Sequence, residues 1–336
     1  MSATIRIPSD QMEQEFHRIL VKFGFEAKKA GECAHIFAVN SLEGVYSHGV
    51  NRFARFIQSV KDGHIKPNAE PERKHSSGAL EQWDGGFGPG PLNAVFCTDR
   101  AIELSAKYGI GCVAIGRTNH WMRAGYYGWR AAKAGYVLMA WTNTIANMPA
   151  WGALDCHLGN NPIVLALPYE NEAIVFDTAM SQYAYGTLDV YRLSGRKLPF
   201  AGGYDIGGNL TTDPAAILKT ERVLPMGYWK GSGMALLLDI LATILSAGLS
   251  TKEITDRGSE HGLSQVFVAA NVSSLGNQHI IPKTVNDIIR DYSSSKPESE
   301  TTQILYPGER VLRARKQNLE GGIPVNESIW EEILAL

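Results

Sequence analysis

The amino-acid sequence predicts an α/β or α+β fold, built as one compact unit or as two interleaved lobes. Three observations carry that expectation. The first 62 residues place apolar side chains at helical spacing, and from about residue 97 helical stretches alternate with short apolar strands. The third is composition: 44% of the 336 residues are apolar, enough to bury a sizeable core. Lys plus Arg total 32 and Asp plus Glu 34, a formal charge of −2, which argues against nucleic acid as the main partner. Glycine is enriched, 34 residues against a usual level of about 7%, so several backbone segments are expected to approach something closely.

Taken in order, Ser9 is placed to cap a first helix whose Met12, Phe16, Ile19, Leu20 and Phe23 share one face, ending at Gly24. A second helix fits residues 27–40, with Ala30, Cys33, Ala34 and Phe37 on one side. A third starts near Arg52 and carries Phe53, Phe56, Ile57 and Val60, stopping before Gly63. Residues 63–93 read as irregular, and the glycine-rich run from Gly85 to Gly90 as a linker or as a loop against a ligand. Residues 98–108 then form a helix stopped by Gly109, followed by a strand over 110–115. Residues 125–134 form another helix, with Gly135 just past its end and a strand over 136–141. Strands follow at 163–167 and 173–176, and residues 185–222 look like a long excursion rich in Gly, Thr and Asp. Residues 234–247 are apolar on every side, which predicts a buried helix. Asp239 interrupts this stretch, which is too short to span a bilayer. A strand at 264–270, a helix at 282–292, a polar loop at 293–302 and a last helix capped by Asn326 complete the chain.

Several functional classes lose their support on motif grounds. Gly109-Ile110-Gly111 leads from a helix into a strand, the reverse of a dinucleotide-binding turn. No phosphate-binding P-loop, His-Glu-x-x-His or Gly-x-Ser-x-Gly pattern occurs, and no His/Cys/Asp/Glu set has metal-ligand spacing. Cys33, Cys97, Cys112 and Cys156 are far apart, which fits four reduced thiols. The first residues carry no apolar signal core, so a cytoplasmic protein without a membrane partner is expected.

Other segments keep chemical content. His48 and Arg52 lie four apart and share a helical face, pairing a proton-carrying imidazole with a guanidinium that can grip a carboxylate, as reduction of a 2-keto acid requires. The same spacing also fits a helix start with Ser47 as cap and both side chains in water. Asn119-His120-Trp121 follows a strand, a frequent position for ligand contacts but equally one for an anchored loop. Lys230 among Gly227, Gly231 and Gly233 precedes the apolar helix and suits an anion seat or mere close packing. Asp177 ends a strand, where a carboxylate takes ribose hydroxyls or closes a turn. Pro307-Gly308-Glu309-Arg310 is by itself a turn signal.

In order along nearly the whole chain stand Ser47-His48-Gly49 with Arg52, His120 followed by Ala124-Gly125-Tyr126-Tyr127-Gly128, and Asn161-Pro162. After them come Asp177-Thr178-Ala179-Met180-Ser181, Leu224-Pro225-Met226-Gly227 with Lys230-Gly231, and Pro307-Gly308-Glu309. Together they resemble the malate/L-lactate dehydrogenase family that lacks a Rossmann domain. The resemblance implies a largely antiparallel sheet wrapped by helices, in a cytoplasmic homodimer that binds NAD(H), or NADP(H) in its place, and acts on a small keto acid. Residues 1–95, joined by 300–336, would form the helical substrate side, and 96–299 the cofactor-binding region. By motif, His48 matches the family's proton donor, and Ser47, Arg52 and His120 fall where substrate contacts are expected. The cofactor would lie against Ala173, Ile174, Val175, Phe176, Asp177, Thr178, Ala179, Trp229, Lys230, Gly308, Glu309 and Arg310, with no metal. Two positions depart from the pattern: Asn replaces the usual Thr in Gly159-Asn160-Asn161-Pro162, and Thr187 follows Gly186 where many members carry Lys. The implied reaction is reduction of a 2-keto sugar acid. Ureidoglycolate, sulfolactate, malate and lactate are alternative substrates on the same fold, and a non-catalytic ligand-binding homologue is the alternative of another class.

Overall fold

The computed structural model describes residues 3–336. Strand β1 (Thr4–Ile7) is followed by three helices, α1 (Ser9–Lys22), α2 (Ala27–Leu42) and α3 (Val50–Lys61). Their predicted apolar faces meet: Phe16 stacks on Phe53 with ring centroids 4.0 Å apart, and Phe37 meets Phe53 edge-on at 5.2 Å. Pro8 holds the cap position of α1, so Ser9 is its first helical residue and not its cap.

Residues 63–93, expected to be irregular, contain the hairpin β2 (Glu72–Ser77) and β3 (Leu80–Asp84) and the start of α4 (Gly90–Tyr108). Pro91 lies in the first turn of α4, where the missing N–H costs nothing, so a residue read as a breaker starts a helix. Then come β4 (Ile110–Thr118), α5 (Ala124–Lys133), β5 (Tyr136–Thr142), the short β6 (Met148–Pro149) and β7 (Cys156–Leu158), β8 (Ile163–Tyr169) and β9 (Glu172–Thr178). The excursion at 185–222 holds α6 (Tyr185–Leu193), β10 (Gly203–Tyr204), β11 (Leu210–Thr211) and α7 (Pro214–Thr220), the last capped by Asp213. Finally come α8 (Trp229–Ser246), α9 (Thr251–Asp256), β12 (Leu263–Asn271), α10 (Ile281–Ser293), α11 (Glu309–Gly321), β13 (Ile323–Asn326) and α12 (Glu327–Leu334). Asn326 caps α12 as expected, accepting the Ser328 N–H at 3.0 Å. β1 pairs antiparallel with β13.

Seven strands form the central sheet in the order β2-β3-β4-β12-β5-β8-β9, and only the β3–β4 pair is parallel. The expected largely antiparallel sheet is therefore present. Helices α4 and α5 cover one face, setting Ala94, Ala101, Tyr127 and Ala131 against Val113, Ile115, Leu138 and Phe267. Helix α8 covers the other through Ala235, Leu238 and Ala242, packed on Ala114, Trp141 and Val266.

Helix α8 differs from its expectation in two respects. It begins five residues earlier than the apolar run, at Trp229, and its 18 residues are long and apolar enough to cross a membrane. Its burial is partial: Met234, Leu237, Ile240, Leu241 and Ile244 are exposed. Asp239 ties the helix to this fold, accepting from Asn143 Nδ2 at 2.9 Å and from the Thr251 N–H at 2.8 Å.

The Gly85–Gly90 run packs against residues 116–120, with the Phe87 N–H donating to Arg117 O at 2.7 Å. Asn119 Nδ2 returns bonds to Phe87 O and Gly88 O at 3.0 and 2.9 Å. A Cβ on Gly90 would lie 2.2 Å from Asn119 O and 2.3 Å from His120 O. Gly90→Ala is thus expected to cost about 1–3 kcal/mol or more by overpacking against backbone. Gly233→Ala, on α8 with nothing within 4 Å, should be neutral or stabilising. Urea unfolding of both variants checks this; equal stabilities would contradict it.

Candidate active site

His48 sits in a single 3₁₀ turn, Tyr46–His48, between α2 and α3. The end of α2 shapes that turn. Asn40 Nδ2 donates to His48 O at 3.0 Å, and Ser41 Oγ accepts the Val50 N–H at 2.8 Å. A Cβ on Gly49 would fall 2.2 Å from Ser41 Oγ, so only glycine lets the turn close. Ser47 does not cap α3, whose cap position is Gly49; its Oγ lies 3.0 Å from His48 Nδ1. Gly186, at the start of α6, leans on Ser47, where a Cβ would approach Ser47 Cβ to 2.8 Å.

His120 reaches the same place from the end of β4. Its Nδ1 accepts the Met122 N–H at 2.9 Å, so the neutral ring carries its proton on Nε2 and can donate from there. The His48 and His120 rings stack with centroids 5.7 Å apart. Beside them opens a cavity of about 340 Å³ whose wall includes Arg52, Arg55, His64, Asn119, His120 and Glu260, a volume within the range of small-ligand sites. Arg52 Nη2 donates to Glu260 Oε2 at 3.3 Å, and no other hydrogen bond of this guanidinium forms among the described residues.

Electrostatics keeps both imidazoles neutral. Burial pushes the His48 pKa down to about 3, with His120, Arg52 and Arg123 adding to the effect and Glu260 opposing it. Burial likewise holds His120 well below the usual histidine range, helped by Arg52 and Arg55. The resting state of His48 is therefore the neutral imidazole, and the ring must gain a proton before it can act as the donor that the motif implies.

The residues expected to meet a cofactor come from three segments, and the fold joins them around β9. The Val175 N–H donates to Pro307 O at 3.1 Å. Gly308 has φ +100°, and a Cβ there would come within 3.2 Å of Val175 N, so glycine lets the turn lie flat on the strand. Glu309 and Arg310 open α11, where Glu309 pairs with Arg313 at 2.5 Å. On β9, Ala173, Ile174 and Val175 are buried and Phe176 and Asp177 exposed; beyond them Thr178 Oγ1 donates to Ala179 O at 3.0 Å. Past Ala179, the Met226 N–H donates to Met180 O at 2.8 Å and the Gln182 N–H to Leu224 O at 2.7 Å. That pairing sets the N-terminus of α8, with exposed Trp229 and Lys230, at the end of β9. Together these groups have the chemistry to hold a dinucleotide: a lysine at a helix start for phosphates, open aromatic faces, and a carboxylate for hydroxyls. One oxygen of that carboxylate is already engaged, since Asp177 Oδ2 accepts the Gly125 N–H at 2.7 Å.

An ion cluster that the sequence reading missed underlies all of this. Glu43, 3% exposed, pairs with Arg123, 4% exposed, and with Arg315, whose Nε donates to Glu43 Oε1 at 2.9 Å. Arg123 Nε lies 4.0 Å from Asp177 Oδ2, and Arg315 also reaches Glu172 at 3.4 Å. Arg55 was missed as well, although it stands three residues after Arg52 and shares its helical face. Glu260 gave no local signal.

Comparison with known proteins agrees with this architecture. A family model described as malate/L-lactate dehydrogenase matches residues 7–334. A 2,3-diketo-L-gulonate reductase of Escherichia coli (strain 536 / UPEC) is 46% identical over 333 residues, covering 99% of this chain and 100% of the relative. Among solved structures, the sulfolactate dehydrogenase of Methanocaldococcus jannaschii is similar with a TM-score of 0.89 and 27% identity, over 99% of this chain and 98% of that one. The malate dehydrogenase of Entamoeba histolytica superimposes with a TM-score of 0.92 over 98% and 96% of the two chains; at 24% identity it speaks for the fold alone.

The ion cluster supplies its own test. Glu43→Gln leaves two guanidiniums short of their buried counter-charge and is expected to lose about 3–5 kcal/mol of stability. Urea denaturation measures this, and a loss below about 1 kcal/mol would mean that the surroundings relax around the missing charge.

Proposed function

The chain belongs to the malate/L-lactate dehydrogenase family, nicotinamide-dependent oxidoreductases of the hydroxy-acid/keto-acid pair, and on that premise we propose that it reduces a polyhydroxylated 2-keto acid. The proposed substrate is 2,3-diketo-L-gulonate, giving 3-keto-L-gulonate. High identity over essentially the full length of the E. coli reductase supports that choice over ureidoglycolate, sulfolactate, malate or lactate.

One observation carries the chemical part of the reading: Arg52 and His120, from two distant segments, line one cavity, and His48 stacks on His120 beside it. The open edge of Arg52 binds the substrate carboxylate as a charge-assisted pair. His120, with its proton on Nε2, donates to the carbonyl oxygen or its neighbour and fixes the reacting carbon. His48 delivers the proton to the developing alkoxide, held in place by Ser47. An arriving carboxylate offsets the charge of Arg52, one of the groups that hold the His48 pKa down, so substrate binding itself favours the protonated donor. Nicotinamide dinucleotide, NADH in the first instance with NADPH as the alternative, supplies the hydride from the groove formed by residues 173–179, Trp229, Lys230 and the Gly308–Arg310 turn. In this reading the substrate side is drawn mainly from the segment before residue 95 and the cofactor side mainly from 96–299, with His120 crossing to the substrate and the Gly308–Arg310 turn of the C-terminal segment crossing to the cofactor.

The same reading makes the protein a cytoplasmic homodimer. The exposed apolar flank of α8 is more than a lone soluble chain usually leaves open, and four unpaired cysteines suit a reducing compartment.

The expected pH behaviour follows from the neutral resting state of His48. Reduction needs its proton, so kcat/KM for the keto acid should fall by about tenfold per pH unit above the depressed pKa, through the neutral range. Oxidation of the hydroxy acid needs the neutral ring and should be nearly flat over the same range. His48→Asn should lose about 10²–10⁴ in turnover while NADH binding, read by fluorescence, persists. Near-normal turnover in this variant would remove His48 as the donor. Sedimentation at micromolar concentration should give a dimer, and a monomer there would overturn the dimer reading.

A further inference from the structure

Glu260 stands on the loop between α9 and β12, and two contacts, from His261 and from Glu260 itself, hold that loop against the cavity. His261 stacks on His64 with centroids 4.5 Å apart and planes 10° from parallel, and its Nδ1 lies 2.9 Å from Ser259 Oγ. Arg52 binds Oε2 of Glu260, with the carboxylate side chain 13% exposed. Its other oxygen, Oε1, has no hydrogen-bond partner among the described residues, although Glu260 forms part of the cavity wall. This carboxylate is therefore half engaged, and an acceptor is left over beside the guanidinium that the proposed reaction uses for the substrate carboxylate.

Charge balance sharpens the point. Four charged side chains line the cavity, two cationic, Arg52 and Arg55, and two anionic, Glu260 and Asp62. Asp62 is itself engaged by Gln58 Nε2 at 2.7 Å, which leaves Glu260 as the anion paired with Arg52. A 2-keto acid with one carboxylate adds a single negative charge at Arg52. A second carboxylate on the same short carbon chain would be brought close to Glu260, and like charges at that range repel in a partly buried site. A hydroxyl in the same place would instead donate to the free oxygen, forming a hydrogen bond to a charged acceptor.

Resting on the keto-acid reading given above, we infer that Glu260 is the specificity-determining residue of this cavity: it accepts a hydroxyl of the substrate's polyol chain and excludes a second carboxylate. Arg52 thus serves two carboxylates at once, the protein's own on one nitrogen and the substrate's on its open edge.

The experiment compares kcat/KM for 2,3-diketo-L-gulonate, pyruvate and oxaloacetate in the wild-type enzyme and in Glu260→Gln and Glu260→Asp. Pyruvate, with one carboxylate and no hydroxyl, is the reference against which both ratios are formed. In Glu260→Gln the diketogulonate-to-pyruvate ratio should fall about tenfold and the oxaloacetate-to-pyruvate ratio should rise by about as much. Glu260→Asp keeps the charge but withdraws it by one methylene, so it should lose hydroxyl recognition while still rejecting oxaloacetate. If both ratios in Glu260→Gln stay within about twofold of wild type, whatever happens to the absolute rates, Glu260 only positions Arg52 and the inference falls. The same holds if Glu260→Asp admits oxaloacetate as readily as Glu260→Gln. A wild-type enzyme that reduces none of the three acids with NADH or NADPH would instead overturn the underlying reading, and this inference with it.

Discussion

One buried carboxylate holds the halves of this molecule in register. Glu43 ends the helix that leads into the His48 turn, and it is gripped by Arg123 at the end of the His120 segment and by Arg315 on α11. Through Arg123 it borders Asp177 on β9, and through Arg315 it is linked to Glu172 at the start of that strand. Helix α11 follows directly from the Gly308 turn. Four segments far apart in sequence are thus referred to a single point. A buried ion pair adds little net stability compared with a well-packed apolar substitute. Its value here lies in geometry, because groups that act on one substrate must keep their spacing to within a fraction of an ångström.

Physics explains which parts of the fold were legible from the sequence. Helices α1 to α3 were read nearly residue for residue, since their apolar positions repeat at helical spacing and pack on one another. The hairpin was not, because β2 exposes all six of its residues and so carries no apolar alternation to read. Helix α9 had a readable start, the capping box from Ser250 to Glu253, which the sequence reading passed over. The apolar composition of α8 was clear, but composition cannot say whether a flank is covered by the same chain.

The candidate site divides along the same line. His48, Arg52 and His120 could be singled out because their local patterns carry chemistry. Glu260 could not, since it meets Arg52 across 208 residues and only folding brings the two together. The protonation state was equally hidden. A histidine in a sequence has an ordinary pKa, and it took the burial of His48 beside His120 and two guanidiniums to make it neutral. The glycine surplus was read as close backbone approach, and at Gly49, Gly90 and Gly308 the approach is to the chain's own backbone and side chains.

The order of strands in the central sheet also governs how the chain can be assembled. β12 lies between β4 and β5, pairing with both, although it follows them by more than a hundred residues. Until residue 271 leaves the ribosome, β4 and β5 each present an open edge, with Val113, Ile115, Leu138 and Ala140 nearby. Most of the protein must therefore exist before the middle of its sheet can close. Folding of such a topology is slow, dominated by distant pairings, and exposed to strand-swapped association while it waits. A ribosome stalled before β12 would release a chain that has most of its helices and no closed sheet.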